Sequence, residues 1–196
     1  MANRPDEPVL EFHVRIVPNG VVSGHVATRL RPGDAVTVEG PFGDAWLRDD
    51  GRPIVAVAGS TGLGPIRSIV RTAVGRDRRP ARVYVGFRSE ALVYGVRELA
   101  RLAPVEVVLS RPAGGTGRRT GLVHEALADD LPGLAGAAIH AAGPPAMVAA
   151  VRRAAAAAGV PDDQIHADAF TAAPSDPAPG LLSGLWNWLP GLAAAE

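Results

Sequence analysis

The 196-residue sequence contains no cysteine. That absence excludes disulfides, thiolate nucleophiles, zinc–thiolate centres and cysteine-held iron–sulfur clusters, and it leaves the redox compartment unreadable from composition. Lysine is missing too: all 20 basic residues are arginine, and 20 Asp and Glu balance them to a formal net charge of +0. With neither a charge excess nor a basic stripe, no nucleic-acid partner is expected. No apolar run approaches the ~20 residues that a membrane-spanning helix needs. The polar start, Met1-Ala2-Asn3-Arg4-Pro5-Asp6-Glu7, lacks the apolar stretch of a secretory signal. A soluble cytoplasmic protein is therefore the expectation. The five histidines, His13, His25, His124, His140 and His166, show no metal-ligand spacing, and no metal site is expected.

What is present divides the chain into three stretches. Residues 1–50 read as β-rich: Leu10 to Val17 alternates and is β-branched, Val36 to Glu39 is a second short strand, and Pro18-Asn19-Gly20 and Arg31-Pro32-Gly33-Asp34 are turn signals. Ser23 to Leu30 suits a short helix with Ser23 as its N-cap. Two or three strands make too small a sheet to stand alone, so this stretch reads as part of something larger.

Residues 51–170 have a different rhythm. Ile54-Val55-Ala56-Val57-Ala58 is a continuous apolar run of the kind buried on both faces of a parallel sheet. A glycine-rich turn, Gly59-Ser60-Thr61-Gly62-Leu63-Gly64-Pro65, leads into a helix with Ile66, Ile69, Val70, Ala73 and Val74 on one face and Pro65 at its first position. Further strands are expected at Val83–Phe87, Val105–Leu109, Ala137–Ala142 and Ile165–Ala167. Helices are expected at Ala91–Leu102, Leu122–Asp130 and Pro145–Ala158. Strands alternating with helices at this pitch give an α/β fold, an open parallel-sheet nucleotide-binding domain. Residues 171–196 are a Pro/Ala-rich linker to about Gly180 and then an apolar tail holding Trp186 and Trp188. That tail is too short to span a membrane. It suits packing on its own domain, docking a partner, or interfacial contact.

Two motifs carry chemistry. The turn from Gly59 lets backbone N–H groups reach a pyrophosphate, with Thr61 adding a hydroxyl and the helix N-terminus a favourable dipole. Its spacing is not Gly-x-Gly-x-x-Gly, and alone it is equally compatible with a packing role. The second motif, Ala142-Gly143-Pro144-Pro145-Ala146-Met147, closes the fourth strand. Since the carboxyl ends of parallel strands line the ligand crevice, both glycine turns are expected to face one cleft. Arg76, Arg78 and Arg79 form a basic cluster around Asp77, suited to a solvated turn or to an acidic partner.

Taken together, Gly59 to Pro65, Gly143 to Met147 and the closing Asp168-Ala169-Phe170 resemble the ferredoxin–NADP⁺ reductase superfamily, in its oxygenase-reductase and flavin-reductase branches. In the first stretch, Gly40-Pro41-Phe42-Gly43 resembles the loop ending that family's flavin barrel, and Gly20-Val21-Val22-Ser23 its flavin-pyrophosphate motif. The resemblance implies a partial antiparallel flavin-binding β-barrel ahead of the nucleotide domain. It also implies hydride transfer from NADH or NADPH to FAD, with FMN as the other candidate flavin, and electrons passed on to a ferredoxin, Rieske or oxygenase component. By matching position, it places Gly20, Val21, Val22 and Ser23 at the flavin phosphates, His13, Val14 and Arg15 along the flavin, and Phe170 over the isoalloxazine ring. Thr61, Gly62, Pro65, Gly143, Pro144 and Met147 would meet the nicotinamide nucleotide. No catalytic acid–base residue is assigned, since hydride transfer needs alignment and exclusion of water rather than a dyad.

Three positions depart from the family pattern. Met1-Ala2-Asn3 resembles the residues that directly follow the family's Arg-x-Tyr-Ser flavin motif, so the strands carrying the main flavin contacts are expected to be missing. Ala142 stands where the family usually has Cys beside the hydride path. Ser60 stands where the nearest branches usually have Gly, which serine replaces without strain only at negative φ. For cofactor choice, Arg88 and Ser110–Arg111 suit a ribose 2′-phosphate and Glu90 suits an unphosphorylated ribose; analogy with related oxygenase reductases inclines the reading to NADH. The alternative is a nucleotide-binding, catalytically impaired module that docks a partner.

Overall fold

A chain segment with no polar side chain to leave in water must be covered on both faces, and Ile54–Gly59 is such a segment: every one of its residues is buried. In the computed structural model, which describes residues 1–40 and 42–171, it forms the central strand β1 of a six-stranded sheet. The other strands are β2 (Ala81–Phe87), β3 (Val105–Leu109), β4 (Arg119–Thr120), β5 (Ala138–Gly143) and β6 (Ile165–Ala169). Every pairing is parallel, and the order across the sheet is β4-β3-β2-β1-β5-β6. The helices are α1 (Val21–Thr28), α2 (Leu63–Val70), α3 (Val96–Leu99), α4 (Val123–Asp130) and α5 (Pro145–Ala157).

Side-chain alternation along β1 feeds two cores. Ile54, Ala56 and Ala58 pack with Leu63, Ile66, Ile69 and Val70 of α2 and with Leu99 of α3. Val55 and Val57 pack on the opposite face with Val123 and Leu127 of α4 and with Val151 and Ala155 of α5. Helices therefore cover both faces, as a sheet of parallel crossovers requires. The chain runs from β1 outward through β2, β3 and β4, then returns to the other side of β1 for β5 and β6. The direction of winding reverses between β1 and β5, which is where open α/β sheets hold their ligands.

The α/β architecture agrees with the sequence reading, with several local differences. The helix expected over Ala91–Leu102 is broken into a 3-10 turn at Glu90–Leu92 and the short α3. Between them Gly95 has φ +66, and a Cβ there would lie 2.9 Å from the Leu63 side chain. A left-handed residue ends a right-handed helix, and the approach of Leu63 holds glycine in place. α2 begins at Leu63 behind a 3-10 turn over Ser60–Gly62, so Pro65 is the third helical residue rather than the first. It costs nothing there, because the N–H groups of a first turn have no partner within the helix. α2 continues through one wide turn over Arg71–Arg76, in which the Asp77 N–H donates to Thr72 O at 3.1 Å. β4, two residues long, is not among the strands expected from the sequence.

The larger difference lies ahead of β1. The strands expected at Leu10–Val17 and Val36–Glu39 form no ladder among the described residues, and the helix begins at Val21 with Gly20, not Ser23, as its N-cap. Ser23 lies inside the first turn, where its Oγ accepts the Val17 N–H at 3.1 Å. Strand sequences need partner strands, and without them Leu10, Phe12, Ile16 and Val38 remain exposed. Charge and hydrogen bonds hold this stretch to the sheet domain. Arg67 bridges Glu11 at 2.6 Å and Glu98 at 2.7 Å, and Arg71 bridges Glu7 at 2.5 Å. Asp168, near the end of β6, accepts the N–H groups of Asp44 and Ala45 at 2.5 and 3.0 Å. Arg79 is buried and donates to Arg52 O, Arg48 O and Asp50 Oδ1 at 2.6, 2.6 and 2.7 Å. It is a strut for the 48–52 connection rather than part of a docking cluster, and Arg76 pairs with Asp77 at 2.6 Å.

Candidate functional site

β1 and β5 end level with each other, Ala58 opposite Ala142, at the point where the winding reverses. Both strands exit through glycine. Gly143 has φ +147, and a Cβ on it would stand 3.0 Å from the backbone N, Cα and O of Gly59. A Cβ on Gly59 would in turn lie 2.6 Å from Met147 Sδ and 2.8 Å from Pro144 Cδ. The two turns therefore touch backbone to backbone, as only glycine permits. Gly62 plays a related part beneath them: a Cβ there would meet the Ala142 carbonyl, so glycine lets the start of α2 press against the end of β5.

Above these turns opens a cleft of about 660 Å³ along the carboxyl edge of β1, β2, β3 and β5, a size ordinary for a small-molecule site. Its floor is Gly59, Ser60 and Thr61, and its far wall is Pro144, Ala146 and Met147. Phe87, Arg88, Val108 and Ser110 extend it toward β3, and Gly121 to His124 at the start of α4 close that side. Two helices thus begin at the cleft with first-turn N–H groups that have no partner within the helix. In α4 the Leu122 N–H is taken by the Glu125 carboxylate at 2.7 Å, leaving those of Val123 and His124. The charged side chains lining the cleft are Arg15 and Arg88, with no carboxylate among the lining residues. The arrangement suits a polyanion with apolar flat parts.

His13, Val14 and Arg15 from the first stretch form the remaining wall. Tyr94, beside Gly95, fixes this wall. Its hydroxyl stands 3.0 Å from His13 Nδ1, and its ring meets the edges of His13 and Phe87 at centroid distances of 5.2 and 5.8 Å. Burial raises the phenol to about 12, so the hydroxyl keeps its proton at neutral pH. His13 Nε2 continues to Glu11 at 3.2 Å and, through Glu11, to Arg67.

Of the residues singled out in the sequence, His13, Val14, Arg15, Thr61, Arg88, Ser110, Pro144 and Met147 line this cleft. Gly62 and Gly143 lie beneath it as packing glycines. Gly20, Val21, Val22 and Ser23 stand outside it on α1, and Arg111 and Phe170 are not among the lining residues. The Phe170 N–H donates to Gly143 O at 2.8 Å, which ties the end of β6 to the β5 exit. Pro65 lines a second cleft with Phe42, Trp46 and Ile69 and is not among the lining residues of the first. Ser60 also departs from expectation: its φ is +53, in the left-handed region that costs a non-glycine residue about 1–2 kcal/mol. Tyr94 and Gly121 to His124 were not anticipated. The Thr120-Gly121-Leu122 strand–glycine–helix pattern was the available signal for the second group.

Residues 56–153 match the model of the oxidoreductase NAD-binding domain, and residues 1–46 match that of the oxidoreductase FAD-binding domain. Over 178 residues the chain is 41% identical to the ferredoxin–NAD(P)(+) reductase component of the naphthalene 1,2-dioxygenase/salicylate 5-hydroxylase systems of a Ralstonia species, covering 87% of this chain and 54% of the relative. It is 37% identical over 187 residues to the reductase subunit of an aromatic O-demethylase of an Amycolatopsis species, covering 88% of this chain and 55% of the relative. Among solved structures, an Amycolatopsis cytochrome P450 reductase superposes with TM-score 0.73 at 34% identity, over 81% of this chain and 51% of that one. A ferredoxin reductase in carbazole 1,9a-dioxygenase superposes with TM-score 0.68 at 25% identity, over 81% of this chain and 50% of that one. The chain spans about half the length of the curated relatives it matches, 54% and 55% of the two named here.

Proposed function

We propose, for a chain that belongs to the oxidoreductase NAD-binding domain family within the ferredoxin–NADP⁺ reductase superfamily, that it serves as a flavoprotein reductase: hydride passes from NADH or NADPH to FAD, and electrons go on to a ferredoxin, Rieske or oxygenase component. The observation that carries this reading is the cleft at the winding reversal, where two touching glycine turns and two helix N-termini face a carboxylate-free wall. In this reading the N–H groups of Ala146 and Met147, with the Thr61 hydroxyl, hold the pyrophosphate of the nicotinamide nucleotide. Pro144 and the Met147 thioether wall the nicotinamide, and Arg88, Ser110 and Arg111 serve its adenosine end.

The residues on the flavin side fit a phosphate-bearing cofactor. α1 starts at Val21 behind its N-cap Gly20, with the N–H groups of Val21, Val22 and Ser23 unpaired within the helix, and a Cβ on Gly20 would fall 2.5 Å from Ser23 Oγ. Bound FAD, or FMN in its place, would supply the exchange between two-electron hydride and one-electron transfer. His13, Val14 and Arg15 hold the flavin against the nucleotide cleft, Tyr94 keeps His13 in position, and Phe170 covers the ring. The division that goes with this reading gives flavin contact to residues 1–50, nucleotide contact to 51–170 and partner docking to 171–196, in a cytoplasmic protein.

One observation favours a second reading, a nucleotide-binding partner-docking module without efficient turnover: residues 1–50 form no ladder among the described residues. The two separate experimentally. The reductase reading expects the purified chain to retain added FAD, seen as a shifted visible spectrum, and to reduce a dye with NADH or NADPH. Nucleotide binding with neither flavin retention nor dye reduction would select the module.

A further inference from the structure

The second cleft, of about 730 Å³, lies between α2 and the residues ahead of β1, and neither the flavin nor the nucleotide reading uses it. Its walls include Phe42, 75% exposed, Trp46, 59%, and Leu10, 56%. Pro65 and Ile69 of α2 line it as well. The Arg48 guanidinium stacks over the Trp46 ring, 3.2 Å from its centroid, which fixes the indole where it stands. Arg48 also pairs with Asp44, and Arg76 with Asp77, so both arginines of this cleft are already neutralised. What the cleft offers is apolar and aromatic contact. Large apolar side chains left open side by side mark a surface that something covers.

The chain itself carries a segment suited to that role. Residues 172–196 lie outside the described residues, but the point from which they start does not. β6 ends at Ala169, the Phe170 N–H is tied to Gly143 O at 2.8 Å, and Asp168 lines the second cleft. The chain therefore leaves the domain beside this cleft. From there residues 172–180 can reach at most about 30 Å when fully extended. The next stretch, Leu181-Leu182-Ser183-Gly184-Leu185-Trp186-Asn187-Trp188-Leu189-Pro190, has no charged residue. It does not suit the nucleotide cleft, whose charged lining is Arg15 and Arg88. Its two tryptophans are the kind of anchor that fills an aromatic cleft. A linker this short also holds the segment at an effective concentration on the order of millimolar, which favours its own chain over a second copy.

We propose that the Leu181–Pro190 segment binds in the second cleft of its own chain, with Trp186 and Trp188 packed against Leu10, Phe42 and Trp46. The inference goes beyond the reductase reading and depends on neither flavin nor nucleotide. It also gives residues 171–196 a place on the domain that they must leave before docking a partner.

Because the chain has no cysteine, Ser183→Cys accepts a single nitroxide label in the full-length protein. Proton–nitrogen spectra of the dilute, isotope-labelled chain are compared with the nitroxide active and reduced. The amides of Gly43, Ala45, Trp46 and Ser68 are expected to lose most of their intensity, while those of Ser110, Gly121 and Leu122 at the nucleotide cleft keep most of theirs. The loss should survive dilution, and it should be absent when nitroxide-bearing chain is mixed with isotope-labelled chain that carries no nitroxide. Adding Trp186→Ala and Trp188→Ala to the nitroxide-bearing chain should restore the second-cleft signals, with the β1 amide shifts unchanged. Signal loss seen only in the mixed sample would assign the cleft to a second copy and overturn the proposal. Loss that is centred on the nucleotide cleft, spread evenly, missing altogether, or unchanged in the double tryptophan variant would overturn it as well.

Discussion

His140 lies in the middle of β5, opposite Ala56 of β1 and His166 of β6, with no solvent exposure. Neither ring nitrogen has a hydrogen-bond partner among the described residues. Burial holds its pKa down at about 3; the neighbouring His166 ring, 5.0 Å away, and the Arg79 and Arg48 cations act in the same direction, while Asp50 opposes them. In the unfolded chain the same imidazole titrates near 6.5. Because the folded value is the lower one, the unfolded chain takes up the proton first as pH falls. The stability associated with neutral His140 is therefore whole above about pH 6.5 and drains away between there and about pH 3. At pH 5 the loss is about 2 kcal/mol, a sizeable part of the 5–15 kcal/mol typical of a domain. His140→Leu removes the titrating group and the orphaned nitrogens while roughly keeping the volume. Urea denaturation at about pH 7.5 and about pH 5 should show the wild type losing about 2 kcal/mol more than the variant between the two conditions. The variant should also be the more stable by about 1–3 kcal/mol at the higher pH, since a buried unpaired polar group has been replaced. Parallel losses in the two proteins would refute the claim that His140 is folded in its neutral, unpartnered form.

Ser60→Gly should stabilise the chain by about 0.5–1 kcal/mol, the relief of φ +53 less the extra freedom of glycine in the unfolded chain, and should raise the melting temperature by a few degrees; a lower melting temperature would contradict the strained turn. Gly143→Ala should cost more than about 2 kcal/mol and abolish nucleotide binding, because its Cβ would press on Gly59 at 3.0 Å and its φ is +147. A denaturation curve and a titration check the two halves separately. Asp168→Asn should weaken the hold on the Asp44 and Ala45 N–H groups by about 1–2 kcal/mol, visible as faster hydrogen exchange at those two amides with little change in β1.

The elements that were legible in the sequence are those whose burial is complete. β1 and β5 read as apolar runs because both faces are covered, and α5 read to within a residue because Pro145 opens it and Gly159 follows it. The site was legible where a backbone requirement selects glycine, at Gly59 and Gly143. What stayed hidden depends on contacts between distant residues. The break at Gly95 is set by Leu63, and Tyr94 becomes part of the cleft only because that break turns it toward His13 and Phe87. An ion pair such as Glu90–Arg118 joins residues on separate loops, so no local pattern announces it. The strands expected at Leu10–Val17 and Val36–Glu39 have the right composition, but strand composition specifies a ladder only where a partner strand is at hand.

The most direct test of the account is amide hydrogen exchange of the full chain with and without a saturating nicotinamide nucleotide. Slowed exchange is expected to concentrate at Ser60 and Thr61, at Val123 and His124 and at Ala146 and Met147, the segments that meet at the cleft between the β1 and β5 exits. Protection confined to the second cleft around Phe42, Trp46 and Pro65, or no protection at saturation, would contradict it.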